Sequence, residues 1–215
     1  MPFLTKKEPA AMVKAKEEAP SNIRFSFKDT LGDGRVVVVE DPPKKFTMGI
    51  CSTKWTSKEE ERFTIKKPWS YMIFVFSDPH GSEPYLRHAI LFFASRKARS
   101  LNDKCLCYAP VPNLTYTQFW SMDPGICMGD VRVYESGSCE SRANALHSAF
   151  WNSKFTDELP SSRGTVPRWA GAKKGHMERL KIWERRTQLD LAMTWIKADE
   201  KRSSIRRASG WIQNT

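Results

Sequence analysis

Apolar positions cluster most densely at residues 89–94 (AILFFA), between Arg87-His88 and the basic group Arg96-Lys97-Ala98-Arg99. A six-residue apolar run bounded by charge is a strand buried on both faces or a short buried helix, and periodicity does not separate the two. Leu91, Phe92 and Phe93 favour the strand. The charged ends read first as the solvated ends of a core strand; a contact of the basic end with an acidic surface is the functional alternative.

Other stretches alternate with a period of two, as half-buried strands do. Ile23, Phe25 and Phe27 alternate with Arg24, Ser26 and Lys28. A turn at 31–34 (LGDG) and a valine-rich strand at 35–40 complete a predicted hairpin. Residues 45–55 (KFTMGICSTKW), 104–109 (KCLCYA) and 129–135 (GDVRVYE) predict further strands. Residues 68–76 (PWSYMIFVF) stay open: proline at a first helical position favours helix, whereas the aromatic and β-branched content favours strand. Asp41-Pro42-Pro43 and 110–118 read as loops, 78–81 and Asn102-Asp103 as turns, 119–125 as an exposed aromatic loop, and 159–171 as a linker.

Three segments carry helical signals. Ser57 followed by Glu59, Glu60 and Glu61 resembles an N-cap with acids in the first turn and predicts a short helix. Ser138 caps a predicted helix from Cys139 to about Phe155, with Cys139, Ala143, Leu146 and Phe150 on one apolar face and His147 beside it, as a packed or solvated side chain. A long helical pattern runs from Lys173 to about Asp199, with Leu180, Trp183, Leu191 and Trp195 along one side.

Composition adds partners and exclusions. The 215 residues, 40% hydrophobic, suffice for one core domain with tails. We divide the chain into a disordered basic arm (1–21), a core domain (22–160) and a basic helical segment (161–215) that packs on the core. Net charge is +11, and 161–215 holds 13 Lys and Arg against 5 Asp and Glu, so most of the excess lies there. Such a field draws phosphates or anionic headgroups. In the arm, Phe3 and Leu4 precede Lys6 and Lys7, with Lys14 and Lys16 further on; an apolar tip followed by lysines suits a headgroup layer. No run approaches the ~18 apolar residues of a membrane-spanning helix. The start of the chain has no apolar signal region, and five scattered cysteines read as free thiols in a reducing compartment.

No catalytic constellation is visible, so no enzyme, cofactor or metal is expected. Cys105-x-Cys107 lacks zinc-ligand spacing, and alternation places both thiols on one face as buried structural cysteines. Asp78-x-His80 lies in a turn with no further ligands nearby.

Five segments, in order, resemble the matrix proteins of rhabdoviruses, in the vesiculovirus branch: MPFLTKK at the start, PYLRHAILFFASRKAR, CLCYAPVP, GDVRVYESGSC with the following SAFWNSKF, and RRASGW near the end. The resemblance implies an α+β fold, a single antiparallel sheet with two to three helices packed on it and a flexible basic arm. It implies a structural virion protein that acts in the host cytoplasm and at the inner face of the host membrane. Such a protein bridges the inner leaflet and the nucleocapsid, self-associates and drives budding. Its partners would be an anionic membrane surface, viral nucleoprotein–RNA, other copies of itself and host factors. No PPxY or PTAP-type late motif is present. Phe3, Leu4, Lys6, Lys7, Lys14 and Lys16 are the candidate membrane contacts; Lys173, Lys174, Arg185, Arg186, Arg206 and Arg207 are the candidate nucleocapsid or nucleic-acid contacts. The alternative is a basic RNA-binding or capsid-type structural protein without a membrane role.

Overall fold

A computed structural model describes residues 22–28, 34–51, 60–77, 83–109, 111, 114–115, 125–126, 137–156 and 176–212. The strands are β1 (Ile23–Lys28), β2 (Gly34–Asp41), β3 (Lys44–Cys51), β4 (Glu60–Lys67), β5 (Trp69–Ser77), β6 (Tyr85–Ala94), β7 (Leu106–Tyr108), β8 (Leu114–Thr115), β9 (Gly125–Ile126) and β10 (Phe155–Thr156). The helices are α1 (Cys139–Asn152), α2 (His176–Gln188) and α3 (Ile205–Ile212). The class is α+β. The main sheet runs β1-β2-β5-β6-β9-β8, with β7 also on β6, and every pair in it is antiparallel. A second sheet runs β10-β3-β4, in which β10 lies parallel to β3. The expected single sheet is thus divided in two.

Proline makes the division. In β2–β5, Asp41 faces Ser70, and in β3–β4, Lys44 faces Lys67. The register is the same on both sides, so Pro42 and Pro43 fall opposite Trp69 and Pro68. Proline has no N–H and a fixed φ, so the ladder cannot cross this point. One long ribbon therefore bends at a proline corner. Met48, Ile50, Phe63 and Ile65 from its far half join the same core as Val37, Val39, Met72, Phe74, Leu91 and Phe93.

That core covers one face of the main sheet, beneath α1 and α2. The other face buries Val36, Val38, Ile73, Val75, Ile90 and Phe92 beneath Ile205 and Ala208 of α3. Burial on both faces is why the 89–94 run is a strand, with Ile90, Leu91, Phe92 and Phe93 no more than 1% exposed. The same burial resolves 69–76 as strand β5.

Several expectations are corrected. The acids after Ser57 do not start a helix: Glu60 and Glu61 open β4, whose Phe63, Ile65 and Lys67 point inward in strict alternation. Its outer edge is closed by α2. Glu184 accepts from Thr64 N–H at 2.7 Å, Thr187 accepts from Lys66 N–H at 2.8 Å, and Trp183 donates to Lys66 O at 3.2 Å. An edge strand is protected in this way from foreign pairing. The helix predicted to reach Asp199 ends at Gln188. Asp190 adopts φ 52°, while Asp190 N–H bonds Thr187 O and Leu191 N–H bonds Arg186 O, the pattern of a Schellman stop without its usual glycine. The following chain is extended: Trp195 docks on Phe93 and Trp183 (ring centroids 5.3 and 5.0 Å), while Tyr108 N–H and Ala198 N–H bond Ile196 O and Leu106 O. Cys105 and Cys107 are both buried but belong to cores on opposite faces of the sheet, because Cys105 precedes β7 in irregular backbone. Helix α1 has the predicted cap, with Ser138 accepting from Ser141 N–H, and the predicted face. It ends at Asn152, and Phe155 pairs with Ile50 in β10. The turns at 31–33 and 78–81, the aromatic loop at 119–124, the strand at 129–135 and the linker at 159–171 lie outside the described residues.

A buried ion pair fills the proline corner. Lys67 Nζ donates to Asp41 Oδ2 at 2.5 Å, with both side chains at most 1% exposed. His147 Nε2 is 2.9 Å from the same oxygen, and Lys67 sits 4.1 Å from the Trp151 ring centroid. Burial alone would raise the Asp41 pKa, but the His147 hydrogen bond and the Lys67 charge outweigh it and hold the carboxyl well below its usual range. Burial lowers the Lys67 pKa to about 8 against the pull of Asp41, so both are charged at neutral pH. An ionised carboxylate only accepts, so His147 presents Nε2–H to it.

Asp41→Asn strands a buried ammonium and should cost about 3–5 kcal/mol, with Lys67→Met in the same chain recovering much of it. Because the Asp41 pKa is lower folded than unfolded, its contribution is complete above pH ~4 and is lost as pH falls below that value. Urea unfolding of the three proteins across pH measures both; an Asn variant as stable as the parent would dismiss the corner as a stabilising element.

Candidate functional site

The loop from Ser95 to Cys105 leaves β6 at the end nearest the proline corner and is pinned by its buried polar partners. Tyr71 Oη accepts from Ala98 N–H at 2.7 Å and donates to Glu40 at 2.8 Å. Glu40 also holds Lys97 at 3.3 Å and Arg24 at 3.8 Å. Arg96 makes a two-pronged contact with Asp103 (2.5 and 2.6 Å), and its guanidinium holds that carboxyl down to about 2. Against this loop lies the start of α3, where Ser204 Oγ accepts from Arg207 N–H at 3.4 Å as an N-cap. Arg206 N–H donates to Leu101 O at 2.8 Å, and Lys104 and Arg207 share Glu200 at 3.6 and 3.0 Å.

The two segments, 96–104 and 199–207, bring eight Lys and Arg together against three acids. No acid stands in the first turn of α3, and Arg206 and Arg207 sit at the positive end of its dipole. Like charges held there favour an anion in front of them. Three cations on this side also lie over aromatic rings: Arg24 over Phe25 (5.2 Å), Lys97 over Trp69 (5.3 Å) and Arg206 over Phe27 (5.0 Å).

A second basic surface lies at the outside of the proline corner. Lys44 directly faces Lys67, and Lys45 directly faces Lys66. Like charges in that position repel. Lys67 turns inward to Asp41, Lys66 reaches Asp190 at 2.9 Å, and Lys44 and Lys45 are exposed. The last turn of α2 adds Arg185 and Arg186, the latter donating to Ala192 O at 2.8 Å. Between the corner and the chain after α2 opens a cavity of about 360 Å³, lined by Pro43, Pro68, Trp69, Leu191, Met193 and Trp195 among others.

The candidate nucleic-acid contacts do not form one patch. Arg185 and Arg186 belong to α2, over the first core, and Arg206 and Arg207 to α3, over the second, so the main sheet separates them. Lys173, Lys174, Phe3, Leu4, Lys6, Lys7, Lys14 and Lys16 lie outside the described residues. Lys104 and the lysines at 44–45 and 66–67 were not singled out from sequence. The paired Lys-Lys dipeptides were the available signal, but only the hairpin register brings them face to face.

Burial pushes the Cys105 thiol up to about 11 and Cys107 in the same direction, so neither is an activated nucleophile. Among the described residues no helix is long and apolar enough to cross a membrane. Compared with known proteins, the chain matches no family model, no curated protein and no solved structure to a significant degree.

If phosphates bind at α3, replacing Arg99 and Arg206 by alanine should weaken single-stranded RNA binding and lower the slope of log affinity against log salt by about one per cation. Fluorescence anisotropy over a salt series gives that slope; an unchanged slope would place the phosphates elsewhere.

Proposed function

We propose that this protein is a structural matrix-type protein that bridges an anionic membrane surface and a nucleoprotein–RNA assembly, as its resemblance to rhabdovirus matrix proteins implies. One observation carries the reading: two basic surfaces sit on opposite faces of a layered core, one at the α2 end and one at the α3 end. A molecule that joins two polyanions needs opposed surfaces of this kind, held at a fixed separation. Each Lys or Arg near an anionic leaflet contributes roughly 1 kcal/mol, so four or five suffice for reversible attachment. The protein acts by binding and self-association in the virion and at the inner face of the host membrane, rather than by catalysis.

A second reading, an RNA-binding or capsid-type protein without a membrane role, draws on the three cation–aromatic pairs around α3. Aromatic rings beside cations suit unstacked bases and phosphates.

Co-sedimentation with phosphatidylserine and phosphatidylcholine vesicles, with labelled RNA present, separates the two. The matrix reading expects salt-sensitive binding to the anionic vesicles only, with RNA carried down when protein is added. Tight RNA binding with no vesicle binding would leave the second reading standing.

A further inference from the structure

We propose that the turn at Leu189–Leu191 is the element that enters the anionic membrane surface, an inference that rests on the membrane half of the function proposed above. Leu189 and Leu191 are 59% and 52% exposed and, with Tyr85, are the exposed large hydrophobic residues among those described. They flank Asp190 on one tight turn, two residues apart. Each keeps more than half of its surface in water at the end of a helix.

Three observations point to a lipid surface as the occupant. The first is charge: Lys45, Lys66, Arg185 and Arg186 lie at or beside the turn. The acids there are Asp190, already paired with Lys66, and Glu184, which accepts from Thr64 N–H. An apolar tip within a basic collar matches headgroups above acyl chains. The second is backbone satisfaction. Leu189, Asp190 and Leu191 N–H groups bond Arg185, Thr187 and Arg186 carbonyls, so the turn can meet a low-dielectric layer without stranding these donors. The third is the apolar lining beside it, where Trp69, Met193 and Trp195 continue the surface inward from Leu191. Tryptophan is favoured at the boundary between headgroups and hydrocarbon.

Asp190 tempers the contact: it is 83% exposed, and its carboxylate offsets the charge of Lys66 beside it. Its φ of 52° is one that asparagine adopts at least as readily, so Asp190→Asn removes the charge and keeps the turn.

The test uses the full chain and vesicles of phosphatidylcholine with and without phosphatidylserine. Leu189→Ser with Leu191→Ser should weaken partition to anionic vesicles by about tenfold or more. Asp190→Asn should tighten it about fivefold. Circular dichroism melts check that each variant folds; should the serine variant fail to fold, Asp190→Asn decides alone, and unchanged affinity overturns the proposal. If the parent binds vesicles and the serine variant binds equally well, the turn is not the contact, while the membrane reading stands. If the parent binds no vesicle, both fall. If vesicle binding is unchanged but a self-associated species disappears in sedimentation velocity, the leucines belong to an interface between copies, and the proposal is overturned.

Discussion

The ion pair between Lys67 and Asp41 is the constraint on which the remaining architecture depends. Prolines 42, 43 and 68 stop a continuous ribbon from staying flat, but they do not by themselves hold the bend. The corner closes because Asp41 ends one half of the ribbon, Lys67 ends the other, and His147 and Trp151 of α1 seal them from water. Burying two charges is costly unless each finds its partners, and here the carboxylate collects Lys67, His147 and, more distantly, Asn22 and Lys44. The same contacts dock α1 on the sheet and so align it over the first core.

From that corner the two surfaces follow. With Lys67 drawn inward, Lys44, Lys45 and Lys66 are left exposed, Lys66 paired with Asp190 and Lys44 near Asp41. On the other face, Tyr71 and Glu40 fix the loop after β6, and α3 sets two arginines beside it. One patch is thus mounted on the β3–β4 hairpin and the end of α2, the other on the loop after β6 and the start of α3. Flexible basic tails bind polyanions equally well, but they do not hold two of them at a set distance.

How much of this was legible depends on whether neighbours in sequence carried the signal. β1 and α1 were readable because their periodicity is local, β2 and β6 because their apolar runs are rich in β-branched and aromatic residues, and Ser138 announced its helix. β4 was hidden by the acids after Ser57, although Phe63 and Ile65 alternate with Arg62 and Thr64 as a strand requires. The end of α2 carried no glycine or proline; Asp190 accepts the left-handed conformation in their place, which left Leu191 and Trp195 on a helical stripe that does not exist. The Cys105 and Cys107 faces went wrong because alternation presumes a regular strand, which begins only at Leu106. The lysine pairs needed the β3–β4 register, and burial of Lys67 ran against the usual exposure of lysine.

The same features that defeated the sequence reading are those that make a surface available. A helix stopped by glycine usually buries an apolar residue just beyond its end against its last turn. Here the stop leaves Leu189 and Leu191 in solvent, while Thr187, Trp183 and Glu184 of the same helix are committed to the β4 edge. The helix is therefore held by Leu180 and Trp183 in the first core and by its polar bonds to β4, and is stripped of cover at its tip. Under the membrane contact proposed above, both leucines leave water, and the lysines and arginines beside them favour an anionic surface.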